Sequence, residues 1–418
     1  MARKVLLSFL GTGSMESKKE REYKTVNYHI EDKDLGDYPF VSAALKKYYD
    51  ADKVILVGTV HSMWEEVYRW FSEENNIGLD EDAWAEIAEV CENANSTTDL
   101  VIPHQEKIEQ AIGNGAKIVL IRYGINEREI KENIDIILGL QQYLEQQDEL
   151  IVDVTHSFRS LPMFMMNLLI YLKNVCPKQI RISHIHYGMM EMIRELGHAP
   201  IIDLRHIMDV NDWITGAYSF SEFGNAYKIA DLVADQDKSV SNMLNEFSDL
   251  MNLNHLHDIQ NISQRLSSIK NKKYETLLPQ LTINPIVNSF VNRFSIQGGT
   301  QALFQLKVAK WQLEHRKYAQ AILTITEAIV TYVCEINNMQ WNNKTEREKA
   351  KTVLLDYDSG DCAMLRCDSE LSSEFNRLNS IRNSIAHSRE TLKNVANMIG
   401  TLKECVTRFE SIIKNSRQ

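Results

Sequence analysis

The chain has 418 residues, enough for two or three domains, and its 44% hydrophobic content supports sizeable buried cores. A net charge of −11 and a pI of about 5.6 argue against non-specific binding of long duplex DNA, while leaving room for a small basic pocket. The six cysteines form no CxxC pair or dense framework, and Cys362 and Cys367 have no histidine placed for a zinc half-site, so no metal site is expected and a reducing cytoplasm is.

The opening MARKVLLSFLGTGS has a basic start and a short apolar run that continues into a glycine-rich turn, so it is not read as a signal peptide, and no apolar run is expected to cross a membrane. Lys4–Leu10 is a first strand. Gly11, Thr12, Gly13 and Ser14 follow it, glycines that let a backbone turn tightly or approach a phosphate, though not as GxGxxG. Arg21–Ile30 alternates polar and apolar residues, an extra strand or hairpin. Phe40–Tyr49 is a helix, Lys53–Thr59 a second buried strand ending on Gly58 and Thr59, and Ser62–Phe71 a helix. Ala116–Tyr123 is a third strand, Asn126–Glu145 a helix, Leu150–Val154 a fourth strand and Ile180–Tyr187 a fifth, with Ile201–Leu204 closing the domain. Nearly continuous apolar strands alternating with helices predict an α/β domain over 1–205 with a parallel sheet covered on both faces.

The informative stretch is Glu149–Pro162, ELIVDVTHSFRSLP. A short buried strand is followed by Thr155, His156, Ser157 and Arg159, and then by a helix with Leu161, Met165, Leu168 and Leu172 at 3–4 residue spacing. Hydroxyls, an imidazole and a guanidinium at the carboxyl end of a parallel strand stand where open sheets bind ligands. Amides at a helix start favour an anion, and Arg159 can fork onto a phosphate. An ordinary strand–turn–helix with a solvated turn reads the local pattern equally well. Asp153 is expected to order that turn. His184 and His186 share one strand face, where hydrogen bonding is expected over metal binding.

From about His206 strand signals vanish. Trp213–Asp235, Val240–Leu253 and Asn254–Ser268 read as helices, and Asn271–Thr300, with Pro279, Pro285 and Gly298-Gly299, as a connector with a turn; 206–300 is taken as a helical connector. From Gln301 onward the chain is helical to 418. Tyr318, Ile322, Ile325, Ile329, Val333 and Ile336 form one apolar stripe, and Leu392 to Ile413 another, which pack as a bundle and offer an interhelix or dimer seam. Asn342–Arg347 and Tyr357–Cys367 are read as loops, and Glu327 as solvated or bracing the neighbouring helix.

Between the stripes lies FNRLNSIRNSIAH, Phe375–His387. Phe375, Leu378, Ile381 and Ile385 give an apolar face, with Asn383 and His387 opposite, one turn apart, and Arg382 at the edge. Histidine can move a proton near neutral pH, arginine can hold a scissile phosphate, and asparagine can orient either. An RNA 2′-hydroxyl attacking its own phosphodiester then needs no metal. Arg-x4-His alone is weak: with 12 histidines in the chain and three tolerated spacings, roughly two such pairs arise by chance from ordinary composition. The other one, Arg181–His186, lies in a strand that puts the two side chains on opposite faces.

Together the two constellations resemble the CRISPR-associated CARF–HEPN ribonucleases, ancillary effectors of type III systems, over most of the chain. The Rossmann-like CARF part would carry FLGTGS after the first strand and, after the fourth, DVTHSFRSLP, which resembles the family's D-x-T-H-[SG]-x-R ligand signature. RNSIAH matches the R-[ND]-x3-H motif of an all-α HEPN domain, and YAQAILTITEAIV resembles the helix before it. The resemblance implies a homodimer or higher homo-oligomer. Two CARF domains would form one pocket for cyclic oligoadenylate, tetra-adenylate favoured over hexa-adenylate. Two HEPN domains would form one site cleaving single-stranded RNA, with Arg382, Asn383 and His387 catalytic. Gly11, Thr12, Gly13, Ser14, Thr59, Thr155, His156, Ser157 and Arg159 would line the ligand. His156 would bind it, or assist its slow cleavage. The polar segment Ser14–Tyr28 is longer than a minimal turn and receives no role. A sensing module whose helical half binds a partner without RNA turnover is the alternative from another class. A nucleotide-cofactor enzyme is weakened by the missing GxGxxG and its acidic partner.

Overall fold

The computed structural model describes residues 2–14, 23–113, 115–156, 160–295, 299–357, 365–387 and 394–415. It forms two compact units, Met1–Asp209 and Val210–Gln418.

The first unit is built on eight strands: β1 Lys4–Leu10, β2 Val26–Ile30, β3 Lys33–Tyr38, β4 Lys53–Gly58, β5 Lys117–Leu120, β6 Glu149–Asp153, β7 Arg181–Gly188 and β8 Ala199–Asp203. They lie in the order β3-β2-β8-β7-β6-β1-β4-β5. From β7 to β5 every pair is parallel. Alternation along β1 sends Leu6 and Leu10 to one core, with helices Val41–Tyr49 and Trp64–Glu74, and Val5, Leu7 and Phe9 to another, with helices Glu127–Gly139 and Leu161–Asn174. Burial on both faces is why these strands read as unbroken apolar runs.

The expected purely parallel sheet is corrected at one edge. β8 runs antiparallel to β7, β2 pairs parallel with β8, and β3 turns back on β2. The turn between β2 and β3 is two residues, with Glu31 at φ 51°, a connection that only antiparallel neighbours can use. Two helices, Glu81–Asn93 and Gln105–Ile112, also occupy a stretch where no element is expected. The first is capped by Asp80, whose side chain accepts from the Ala83 amide, and it buries Ala83, Ile87, Ala88 and Cys91.

The second unit is helical. Asn271–Thr300, expected as a connector, contains the helix Leu277–Phe294 despite Pro279 and Pro285. Pro279 falls in the first turn, where no intrahelical donor is needed. Pro285 costs about 3 kcal/mol, and the buried Ile283, Val287, Phe290 and Phe294, each worth about 1.5–3 kcal/mol of transfer free energy, outweigh it. Helix Gln301–Glu314 is buried nearly all round. Ala302, Leu306 and Ala309 face the core shared with helices Tyr318–Ile336 and Val395–Asn415, while Phe304, Val308 and Trp311 face the core of the preceding helices. Residues Asn342–Arg347 are not wholly loop: Asn343 caps a further helix, Lys344–Leu355, by accepting from the Glu346 amide. Contrary to expectation, one helix among the described residues, Tyr318–Ile336, is long and apolar enough to cross a membrane by length and composition. Two-thirds of that window (67%) is buried inside the protein.

Candidate ligand cavity and the arginine–asparagine–histidine helix

The carboxyl ends of β1, β4 and β6 open on one cavity of about 540 Å³. Its floor is set by hydrogen bonds that stop each strand. The Ser62 hydroxyl donates to the Leu10 carbonyl at 2.8 Å and accepts from the Thr59 amide at 3.1 Å, joining the ends of β1 and β4. The Met63 amide donates to the Gly11 carbonyl at 3.1 Å. A Cβ at Gly58 would lie 2.8 Å from both Ser62 Oγ and Trp64 Cζ2, so this junction admits only glycine.

At the end of β6, Asp153 is fully buried and works as the expected turn-former. It accepts from Ser8 Oγ at 2.5 Å, from the Thr155 amide at 2.9 Å and from Thr155 Oγ1 at 2.5 Å. Thr155 Oγ1 in turn accepts from the Gly188 amide at 2.7 Å. The hydroxyl proton of Thr155 is therefore held by Asp153 and is not offered to an anion. His156 packs on Gly11, where a Cβ would come within 3.2 Å of its own Cβ. Its Nε2 is buried with no hydrogen-bond partner among the described residues. Burial holds the imidazole below its ordinary pKa, against the pull of Asp153, so it is neutral at physiological pH.

Gly11, Thr12, Gly13, Ser14, Thr59, Thr155 and His156 all line this cavity. Ser157 and Arg159 lie outside the described residues. Sequence reasoning missed the opposite wall: Lys24, Val26, Pro39, Met190 and Ile193 also line it. The alternation in Arg21–Ile30 was the one available signal, since β2 places Val26 and its neighbour Lys24 there.

His184 and His186 do form a hydrogen-bonded sheet face. His184 Nδ1 lies 2.9 Å from Asp203 Oδ2, His186 Nε2 lies 2.7 Å from the Tyr49 hydroxyl, and the two imidazoles stack.

In the second unit, helix Ser369–His387 buries Phe375 and Leu378 and half-buries Ile381 and Ile385 against the core. Arg382 is half-buried at the edge and Asn383 exposed. His387 is the last residue of the helix, and its side chain lies outside the described residues. The helix is fastened by Glu374, fully buried, which accepts from Arg377 on its own helix at 3.1 Å and from Arg408 on helix Val395–Asn415 at 2.8 Å. Sequence reasoning gave Glu374 no role. Glu327, 33% exposed, pairs with Arg347, which also donates to Thr331 Oγ1 at 3.0 Å.

Residues 5–190 match the family model described as the CARF domain of the CRISPR system endoribonuclease Csx1, and residues 209–299 match that of the second domain of CRISPR-associated protein MJ1674. The curated CRISPR-associated protein MJ1674 of Methanocaldococcus jannaschii is 33% identical over 399 residues, 92% of this chain. The chain spans 62% of that relative's length. Among solved structures, Enterococcus italicus Csm6 bound to cyclic hexa-2′-fluoro-hexa-dAMP overlaps 98% of this chain and 93% of its own, at 13% identity and a TM-score of 0.39, a likeness too slight to carry argument. The two matched segments, 5–190 and 209–299, are thus each similar to a domain of a CRISPR-associated protein, the first to a CARF domain.

Proposed function

We propose that the protein is a cyclic oligoadenylate sensor of type III CRISPR antiviral defence that acts in the cytoplasm as a homodimer and answers the messenger by cutting single-stranded RNA. The observation that carries the sensing half is the convergence of Gly11–Ser14, Thr59 and Thr155–His156 on one cavity at the carboxyl ends of parallel strands. Backbone amides, small side chains and a neutral imidazole suit a nucleotide whose phosphates and base edges need hydrogen-bond partners. One cavity per subunit, paired across a dimer, favours the ring of four adenylates.

The cutting half rests on the helix that carries Arg382, Asn383 and His387. The 2′-hydroxyl attacks the adjacent phosphorus and the bond to the 5′-oxygen breaks. A 2′,3′-cyclic phosphate remains on one product and a 5′-hydroxyl, which takes up the proton, on the other. His387 moves the proton, Arg382 neutralises the charge on the phosphoryl oxygens and Asn383 orients them. No metal is required. The test is cleavage of a single-stranded RNA with and without cyclic tetra-adenylate or cyclic hexa-adenylate, in EDTA. The expected outcome is ring-dependent cleavage, abolished in His387→Ala with its unfolding midpoint unchanged. A wild type inert with every ring contradicts it. Ring binding without RNA turnover leaves a sensing module that acts through a partner.

A further inference from the structure

The polar insertion between β1 and β2 belongs to neither constellation, yet both of its described ends meet at the cavity. The Lys24 amide donates to the Ser14 carbonyl at 2.9 Å, closing the insertion at its neck. Tyr23, buried, lies over Gly13, where a Cβ would come within 2.5 Å of the ring. Gly13 itself sits at φ +66°. The Tyr23 hydroxyl donates to Glu65 Oε1 at 2.5 Å, and Glu65 is itself buried on the helix after β4. Lys24 is thus delivered to the rim by a fixed neighbour. Val26 follows it on β2, and β2 pairs with β8, beyond Met190 and Ile193.

This wall differs in chemistry from the strand-end loops. Val26, Met190 and Ile193 offer an apolar shelf, and Lys24 is the sole charged side chain lining the cavity among the described residues. On a chain of net charge −11, a polyanionic ring meets unfavourable long-range potential unless cations stand at the site. A compact ammonium on a flexible stem, at the mouth of a hydrogen-bonding pocket, suits a phosphodiester oxygen.

Resting on the proposed binding of cyclic oligoadenylate, we infer that the ligand-reading wall of the cavity is made by Lys24 and Val26, at the start of β2, with Met190 and Ile193 from the connection between β7 and β8: the apolar shelf takes the face of an adenine, and Lys24 contacts the phosphodiester beside it. Contacts to charged groups of this kind are worth about tenfold in affinity. The contribution is screened by salt, because Lys24 is exposed.

The experiment is titration calorimetry of the full chain with cyclic tetra-adenylate and with cyclic hexa-adenylate at several salt concentrations. It compares wild type, Lys24→Ala, Lys24→Arg and Lys131→Ala, the last removing a lysine 71% exposed on helix Glu127–Gly139. Lys24→Ala is expected to weaken binding about tenfold and to flatten its salt dependence. Lys24→Arg should restore most of both, and Lys131→Ala should change neither. Wild-type binding that Lys24→Ala leaves unaltered in strength and salt dependence overturns the inference and leaves the proposed function standing. Equal losses in Lys24→Ala and Lys131→Ala also overturn it, since net charge then suffices. Absence of binding by the wild type to either ring overturns both.

Discussion

Gly13 and Thr155 show how single atoms hold the cavity open. A Cβ at Gly13 would lie 2.1 Å from Met63 Cε and 2.5 Å from the Tyr23 ring, on a backbone already at φ +66°. Gly13→Ala should therefore lose about 1–3 kcal/mol of stability, read as a lower urea midpoint; an unchanged midpoint would mean that the rim yields easily. Thr155→Val keeps the shape and removes the hydroxyl that joins Asp153 to the Gly188 amide. The Gly188 amide then lacks its partner and the buried carboxylate keeps only Ser8 and the residue 155 amide, a loss of about 1–3 kcal/mol in the same unfolding assay. Equal stability of the valine variant would show that water replaces the hydroxyl. The strand-end residues were legible because small polar groups directly follow apolar runs. Lys24, Met190 and Ile193 were not, because their meeting depends on β2 pairing with β8, which no local pattern encodes.

Helix Trp64–Glu74 carries one pH-responsive group, and helix Ser369–His387 a buried ionic attachment. Glu66, on helix Trp64–Glu74, is pushed up from 4.5 to about 7 by burial, against the opposing pull of Arg69. Between those values the folded chain keeps a proton that the unfolded chain has released, so this group's contribution to stability falls as pH rises through that window. Glu66→Gln removes the dependence and should gain on the wild type from pH 5 to pH 8 in thermal unfolding; a constant difference would contradict the assignment. His156 and His186 act with opposite sign. Burial lowers both below 6.5, so below that value the unfolded chain binds more protons and stability falls as the solution is acidified. Glu374 fixes helix Ser369–His387 to helix Val395–Asn415, and burial beside it pushes the Cys405 thiol up to about 12. Glu374→Leu leaves Arg377 and Arg408 partly exposed and able to hydrate. It should weaken that attachment and reduce RNA cleavage without altering ring affinity; full cleavage would remove Glu374 from any positioning role. At this scale the five parallel strands were readable as apolar runs. Strand β3, KDLGDY, was not, being a polar edge with Gly36 and only Tyr38 buried. Helix Leu277–Phe294 was hidden by its prolines, whose cost tertiary packing outweighs.

Over the whole molecule, the change from alternating strands and helices to helices alone was plain in the sequence, because short apolar strand runs disappear after β8. Less legible was the sharing of helix Gln301–Glu314 between two cores, since a helix buried on opposite sides has no polar face to mark its orientation. Each unit carries one constellation: a strand-end cavity in the first, an Arg382–Asn383–His387 helix in the second. In the proposed function the first receives the messenger and the second acts on RNA, and both are completed by a second copy of the chain. The most direct measurement is titration calorimetry of intact wild-type protein with cyclic tetra-adenylate, read for stoichiometry. Saturable binding at one ring per two chains is the expected result. Saturation at one ring per chain, or no heat with either the four- or six-membered ring, would contradict a messenger pocket shared between two subunits.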